Sequence, residues 1–363
     1  MREPGPMSNK TGSDQVEQRP RVTHRADRAM PKSASTNFST VAAGVARAAY
    51  LALKNCVMSV YLYSGFIALR DAILSALGRS RVVVVYYHRV GKPDVLTKSP
   101  DDFARDLAFY RRNYECISLS ELCRRLSMSA PFKRRAVVIT FDDGYRDNFE
   151  LAVPALRAAG LTATFFVATG FVGTQIEFPH DQRRAPDFGV PEGAKYPSQR
   201  ASYPKLRWND LREMEAHGFE IGSHTISHAN LGGAGAEEIE KEVQGSLRTL
   251  TKELGAKPRP FSFPWGKPAD ISKAAIDAVV NAGYYSASAA YGGANTRGAS
   301  PMNIRRVDVG NGNTGRVAFK AKVAGFDPDY YRLRLAGSLK SVNPMGANSS
   351  DSVSNGLEVS FND

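Results

Sequence analysis

The chain has 363 residues, of which 42% are hydrophobic and 10% aromatic, so it can bury the core of one large domain with flanking segments or of two ordinary domains. Its formal net charge of +12 favours anionic partners such as membrane surfaces or acidic glycans. No basic run is interleaved with aromatic residues, so we expect no nucleic acid among its partners. The three cysteines, Cys56, Cys116 and Cys123, match neither a metal-ligand spacing nor a disulfide framework, which predicts reduced thiols.

The two ends of the chain differ in composition from its middle. Residues 1–39 are rich in Ser, Pro, Arg, Asp and Gln, which predicts a disordered tail, and they lack the pattern of a secretory signal. Residues 40–80 are more apolar and have helical spacing, which predicts a helical hairpin that packs on the domain or lies on a membrane surface. Arg47 and Lys54 interrupt this segment, so its uncharged runs fall short of the roughly 20 residues of a spanning helix. Residues 328–363 are rich in Ser, Asn and Gly and are predicted to form a second tail. We expect the protein to be cytoplasmic or peripheral to the cytoplasmic membrane.

Residues 81–327 alternate short apolar runs with helical patterns, which predicts one domain of parallel βα units. Ser118 is predicted to cap a helix, and Gly160, Gly218 and Gly255 are placed to end three others. About seven such units favour an α/β barrel, in which active sites gather at the C-terminal ends of the strands. The predicted strands are Val82–Tyr87, Ala136–Phe141, Ala163–Ala168, Phe219–Gly222, Pro260–Pro264, Tyr284–Ser288 and Ile304–Val309.

Two adjacent carboxylates, Asp142 and Asp143, follow the second predicted strand. They cannot both be stable at a strand end unless a cation shares them or one of them is protonated. Since neighbouring side chains of an extended chain point in different directions, one can bind a metal while the other acts as a base. A solvated polar turn is the alternative interpretation, because Asp143 is followed by glycine.

Two histidines, His224 and His228, follow another predicted strand. Residues four apart lie on one face of a helical turn, close enough to bind one ion. A pair of surface histidines is the alternative. Together with the Asp pair, they predict a one-carboxylate, two-histidine site for a catalytic zinc or a similar divalent ion.

These segments resemble the motifs of a known family. Residues 140–144 (Thr-Phe-Asp-Asp-Gly) and 223–228 (Ser-His-Thr-Ile-Ser-His) resemble the first two motifs of the NodB-homology polysaccharide deacetylases, carbohydrate esterase family four, and residues 261–266 (Phe-Ser-Phe-Pro-Trp-Gly) resemble the third. The resemblance implies a distorted (β/α)7-type barrel and a hydrolase of carbon–nitrogen bonds other than peptide bonds. It also implies that Asp142 is the general base and that Asp143, His224 and His228 are the metal ligands.

The sequence departs from the common family pattern in its general acid. No histidine follows His228, so the late Leu-x-His motif is missing. Tyr87 and His88 resemble instead the Tyr-His motif of a rearranged subgroup that includes poly-N-acetylglucosamine deacetylases. The resemblance implies that His88 is the general acid that protonates the leaving amine, with a core-capping histidine as the alternative.

Four further residues are candidates for substrate or oxyanion contacts. The backbone N–H near Tyr145 is placed to stabilise an oxyanion, and Pro264 and Trp265 are placed to line a sugar groove. Arg306 matches the late arginine of the subgroup and is predicted either to orient Asp142 or to bind substrate. Residues 175–203 are polar and weakly patterned, which predicts a loop over the site.

The predicted function is therefore metal-dependent hydrolysis of N-acetyl groups on an amino-sugar polysaccharide or oligosaccharide. An N-acetylated glycan is the expected partner, and the composition leaves the oligomeric state open. A related small-molecule amidohydrolase and a non-catalytic glycan-binding relative remain as alternatives.

Overall fold

The computed structural model describes residues 35–94, 96–183, 203–310, 314–327 and 330–331. Its strands are β1 (Val82–Tyr87), β2 (Arg89–Val90), β3 (Thr97–Lys98), β4 (Glu115–Cys116), β5 (Ala136–Phe141), β6 (Thr164–Val167), β7 (Glu220–Ser223), β8 (Pro260–Ser262), β9 (Ser286–Ala289) and β10 (Ile304–Asp308). Its α-helices are α1 (Ser35–Tyr63), α2 (Phe66–Ala76), α3 (Pro100–Asn113), α4 (Leu119–Ser127), α5 (Val153–Ala159), α6 (Pro179–Arg183), α7 (Trp208–Ala216), α8 (Ala236–Leu254), α9 (Lys273–Asn281) and α10 (Arg316–Val323).

Seven parallel strands close into a barrel. Strand β1 pairs on one edge with β10, where Val84 lies opposite Arg306, and on the other edge with β5 along its whole length. The remaining pairs run β5–β6–β7–β8–β9–β10, and the short β4 lies beside the start of β5. The predicted (β/α)7-type barrel is confirmed, and all seven predicted strands are present with bounds shifted by at most two residues.

The barrel strands are buried on both faces, as their continuous apolar runs predict. In β1, Val83 and Val85 pack in a cluster with the helices α3, α5 and α7, while Val82 and Val84 belong to a second cluster with Phe166 and Ile304 from other strands. Alternate residues of β1 therefore pack against the outer helices and inside the filled barrel.

The predicted helix ends are also observed. The Ser118 hydroxyl accepts a hydrogen bond from the N–H of Glu121 at the start of α4. Gly160, Gly218 and Gly255 follow α5, α7 and α8 with φ of 66°, 82° and 85°, a conformation that glycine adopts without steric cost.

The chain divides into two units between Ala52 and Leu53, within α1. Helix α1 begins at Ser35, inside the range 1–39 that the sequence assigned to a tail, while residues 1–34 and 332–363 lie outside the described residues. The helical character predicted for residues 40–80 is present, but Ala52–Tyr63 and Phe66–Ala76 bend by 52° instead of folding back as a hairpin. By length and apolarity, no single helix of the described chain could cross a membrane, and this bent pair meets that criterion only when its two parts are taken together.

Candidate active site

A cavity of about 250 Å³ opens at the carboxyl ends of the barrel strands. The polar residues that line it follow or end β1, β5, β7, β8 and β10 or come from the segment of α6. Its lining includes Tyr86, His88, Asp142, Asp143, His180, His224, His228, Trp265, Lys267 and Asp308.

Asp142 is buried and held by a fully buried arginine. The Nη1 and Nη2 atoms of Arg306 donate to Oδ1 and Oδ2 of Asp142 at 2.7 and 2.8 Å. The remaining N–H groups of Arg306 donate to the Thr140 hydroxyl, the Ser262 hydroxyl and the Ala289 carbonyl, so this guanidinium uses all of its donors. Such a two-point pair fixes the orientation of the carboxylate.

The Asp142 carboxyl is ionised in this environment. Burial raises its pKa, but the charge and the hydrogen bonds of Arg306 outweigh burial, and the pKa of Asp142 is lowered from its usual value. Arg306 therefore holds both oxygens of Asp142 and is not among the residues that line the cavity.

Asp143 points toward three imidazoles instead of an arginine. Its Oδ1 lies 3.6 Å from Nε2 of His224 and 3.3 Å from Nε2 of His228, and its Oδ2 lies 3.3 Å from Nε2 of His180. Both carboxylate oxygens are buried without a hydrogen-bond partner. Burial raises the pKa of Asp143, but the neighbouring His180 and His228 outweigh it and hold the pKa well below its usual range.

The interpretation of His224 and His228 as one face of a helical turn is wrong. Residues 224–230 form a loop in which Thr225 and His228 have φ of 66° and 59°. The Glu242 carboxylate accepts the N–H groups of Ile226 and Ser227 at 2.8 and 2.9 Å. This left-handed turn, tied to a helix by Glu242, brings the two histidines to the same carboxylate.

The Nδ1 atom of His224 contacts a backbone carbonyl, which leaves its Nε2 facing Asp143. The Ser262 carbonyl can only accept, so the contact of 2.8 Å places a proton on Nδ1 of His224 and leaves a lone pair on Nε2. Burial lowers the pKa of His224 to about 4, which keeps the imidazole neutral near pH 7.

His180 is a residue that the sequence analysis did not select. It lies in α6, inside the loop predicted over residues 175–203, of which residues 184–202 are outside the described part. Asp143, His180 and His228 offer ligand atoms that all lie within 4.8 Å of one another. The signal available in the sequence was the scarcity of histidine, since the chain has only 6.

These donors fit a divalent metal ion. Neutral imidazole and carboxylate are common zinc ligands, and a buried carboxylate without hydrogen bonds is costly unless a cation compensates it. The unpartnered oxygens of Asp143, facing imidazole nitrogens, are the kind of group that such an ion would satisfy.

Comparison with known proteins agrees with this arrangement. Residues 129–287 match the family model of the polysaccharide deacetylases. This part of the chain resembles a polysaccharide deacetylase domain. The matched range includes Asp142, Asp143, His180, His224 and His228, whereas His88 and Arg306 lie outside it.

A curated protein and two solved structures are similar to a larger part of the chain. YxkH of Bacillus subtilis (strain 168), whose name places it among the polysaccharide deacetylases, is 24% identical over 237 residues, which are 65% of this chain and 74% of that protein. The structure of the deacetylase PplD of Streptococcus pyogenes in complex with acetate aligns with a TM-score of 0.53 at 19% identity, over 68% of this chain and 99% of that one. The structure of IcaB from Ammonifex degensii aligns with a TM-score of 0.54 at 21% identity, over 68% of this chain and 97% of that one. These two structures share the barrel fold.

The barrel brings His88 to the same cavity as the Asp pair. His88 directly follows β1, and the N–H of Asp142 donates to the Tyr87 carbonyl at 2.9 Å, so the two strand ends are neighbours. The side chain of His88 is half-buried, and its carbonyl accepts a hydrogen bond from Asn148.

The remaining predicted residues are placed differently from one another. Trp265 lines the cavity, is 39% exposed and has its ring centroid 5.4 Å from that of His228, whereas Pro264 is not a lining residue. The side chain of Tyr145 is buried outside the cavity, where its hydroxyl lies 3.1 Å from Nε2 of His180. Tyr145 and Lys205 form an isolated β-bridge. Its two hydrogen bonds run from the N–H of Arg146 to the Pro204 carbonyl and from the N–H of Leu206 to the Gly144 carbonyl, so the N–H of Tyr145 takes part in neither.

Proposed function

We propose that this chain is a metal-dependent deacetylase that hydrolyses N-acetyl groups on an amino-sugar polysaccharide or oligosaccharide. The observation that carries the proposal is one cavity with two adjacent carboxylates in different environments, Asp142 paired with a buried arginine and Asp143 facing imidazoles. Amide hydrolysis needs a base for water, an electrophile for the carbonyl oxygen and an acid for the leaving amine. The side chains around this cavity are of the kinds that supply these roles.

The proposed metal ligands are Asp143, His224 and His228, and the ion is divalent, with zinc the expected one because carboxylate and imidazole suit it. When bound, such an ion polarises the amide oxygen and lowers the pKa of water. The proton on Nδ1 of His224, fixed by the Ser262 carbonyl, keeps Nε2 available for coordination.

Asp142 is the proposed general base. Its lowered pKa keeps it ionised, and Arg306 takes one acceptor site on each oxygen, which leaves about two of roughly four sites for the proton of a water molecule. Arg306 also prevents rotation of the carboxylate, so the free acceptor sites keep one direction.

His88 is the proposed general acid, which donates a proton to the amine nitrogen as the C–N bond breaks. Its position at the end of β1, next to the end of β5, supports this role because both residues then reach one substrate from neighbouring strands. The N–H of Tyr145 is the proposed donor to the oxyanion, and the exposed ring of Trp265 is the proposed surface for a sugar face.

Acetate release tests this function. The purified chain, loaded with zinc, should release acetate from N-acetylglucosamine oligomers, exopolysaccharide or peptidoglycan, and the three substrates separate the glycan classes. Asp142→Asn should keep about one metal ion per chain but lose acetate release, whereas His224→Ala should lose the metal. Hydrolysis of small cyclic amides without glycan deacetylation would favour the small-molecule amidohydrolase. Glycan binding without any hydrolysis would favour a non-catalytic relative.

We also propose that the helices before the barrel contact a membrane surface. Large apolar side chains repeat along one face of both helices from residue 53 to residue 77, and each is between 47% and 69% exposed. They are Leu53, Val57, Val60, Tyr63, Phe66, Leu69, Ile73 and Leu77. An apolar face of this size is uncommon on a monomer that has no partner surface.

The opposite face of these helices is attached to the domain. Met58 is buried, the rings of Tyr61 and Phe326 contact each other with centroids 4.8 Å apart, and Asp71 pairs with Arg135 at 3.1 Å. Residues 53–81 contain four basic residues and one acidic residue, and the whole chain carries +12. This charge complements an anionic lipid surface, so a bilayer interface is the occupant that we propose for the apolar face.

A further inference from the structure

We propose that His180 is a fourth protein ligand of the metal, supplied by the segment between β6 and α7. This inference rests on the proposed metal-dependent function and deepens it. The motifs of the family account for Asp143, His224 and His228, and none of them contains residue 180.

The distances to Asp143 support the inference. Two atoms that each lie about 2.0–2.1 Å from a tetrahedral zinc ion are roughly 3.3–3.4 Å apart. His180 Nε2 lies 3.3 Å from Oδ2 of Asp143. The Nε2 atoms of His228 and His224 lie 3.3 and 3.6 Å from Oδ1 of the same carboxylate. The ligand atoms of Asp143, His180 and His228 also lie within 4.8 Å of one another, so His180 is placed for the ion as well as His228 is.

The burial of the cluster gives a second, independent reason. His180 is 5% exposed and Asp143 is 2% exposed. Both oxygens of Asp143 lack a hydrogen-bond partner, although Oδ2 faces His180 and Oδ1 faces His228. A cation that His180 binds together with His228 would compensate both oxygens.

Packing holds the His180 ring in this position. It stacks on the buried ring of Phe178, with ring centroids 5.0 Å apart and an angle of 15° between the ring planes. Phe178 in turn stacks on Phe171, with ring centroids 4.1 Å apart. The His180 ring also contacts Trp265 edge-on at 5.8 Å. A ligand that is already ordered by packing loses little conformational freedom when it coordinates an ion.

The consequence is a site of one carboxylate and three imidazoles. Such a nitrogen-rich set suits zinc, nickel or copper better than magnesium or calcium. It would also attach the segment of α6, including Pro179 and Asp181, to the strand ends through the ion, which makes the order of this segment dependent on metal.

The experiment uses the full chain and measures metal, not activity. X-ray absorption of the zinc-loaded wild-type protein should fit three imidazoles in the first shell. His180→Ala should weaken Zn²⁺ binding by at least about tenfold in competition with a chromophoric chelator, and should change the visible spectrum of the Co²⁺-loaded protein. His217→Ala, a histidine at the end of α7 outside the cavity, is the control and should change neither.

The outcomes separate this inference from the function on which it rests. Two imidazoles in the wild-type spectrum, or unchanged zinc affinity and Co²⁺ spectrum in His180→Ala, would show that His180 serves only Tyr145 and Asp181, and would overturn the fourth ligand alone. A wild-type chain that binds no divalent ion would overturn the metal-dependent function as well. The absorption measurement needs no variant, so a misfolded His180→Ala would not block the test.

Discussion

Replacing Arg306 with methionine should destabilise the domain strongly, because it leaves the buried carboxylate of Asp142 without its counter-charge. Arg306 is fully buried and makes two charged hydrogen bonds to Asp142. Removing one partner of such a buried pair typically costs about 3–5 kcal/mol. For a domain of this size each kcal/mol shifts the melting temperature by about 2–4 °C, so we expect a fall of roughly 6–20 °C.

The measurement is urea denaturation of the metal-free chain at pH 7, followed by circular dichroism. Arg305→Met is the matched control, since it removes the same charge from the neighbouring position of β10, where the half-buried Arg305 contacts Tyr330. It should cost about 1 kcal/mol or less. The double variant Arg306→Met with Asp142→Asn should regain most of the lost stability, because the buried charge is then removed as well.

The activity of a third variant separates charge from orientation. Arg306→Lys keeps a positive charge but cannot hold both oxygens of Asp142, so we expect kcat to fall while the metal content is unchanged. A loss of stability in Arg306→Met no larger than that in Arg305→Met, or a double variant whose loss is the sum of the single losses, would refute the reasoning.

Three further predictions concern other parts of the molecule. His88→Ala should keep the metal and lower kcat by about 10²–10⁴-fold, and loss of the ion from this variant would instead make His88 a ligand. Leu69→Glu should weaken binding to anionic vesicles, measured by sedimentation, by at least about tenfold, because burying a leucine contributes about 1.5–3 kcal/mol. Met128→Glu is the control, since Met128 is an exposed apolar residue after α4, and it should not weaken binding. Equal effects of the two variants would rule out the apolar face as the contact. Burial raises the pKa of Asp147 to about 6 although Arg89 opposes it, so the stability that Asp147 contributes is fully present below its unfolded pKa and is lost as the pH rises through about 6. The wild type should therefore lose up to roughly 3 kcal/mol more free energy of unfolding than Asp147→Asn when the pH rises from 4 to 7. The same pH dependence in both proteins would contradict the raised pKa.

The barrel could be predicted from the sequence because its strands are long apolar runs with clear ends. Val82–Tyr87 and Ala136–Phe141 were predicted with their observed bounds, since buried parallel strands need continuous apolar residues. The strand β4, Glu115–Cys116, was not predicted because two residues are too few to show a periodicity. The bend between α1 and α2 was also missed, because apolar spacing fixes the face of a helix but not the angle to the next one.

The site was predicted where residues follow strands and missed where they do not. Asp142, Asp143 and His224 stand directly after strands, so the parallel topology alone brings them to one rim. His180 lies in a short helix within a weakly patterned segment, and its packing on Phe178, which spacing does not predict, holds it beside Asp143. The predicted helical turn at His228 was wrong because residue spacing carries no information about the positive φ values that form the observed loop.

The left-handed residues of the site have a consequence for the history of this chain. Thr225 and Trp265 have φ of 66° and 62°, although branched and bulky residues rarely adopt this conformation, at a cost of about 1–3 kcal/mol each. A lineage freed from the need for activity would recover that free energy by exchanging either residue for asparagine or glycine. Among descendants of a common ancestor, the residues at positions 225 and 265 should therefore distinguish copies still under selection for activity from copies that are drifting.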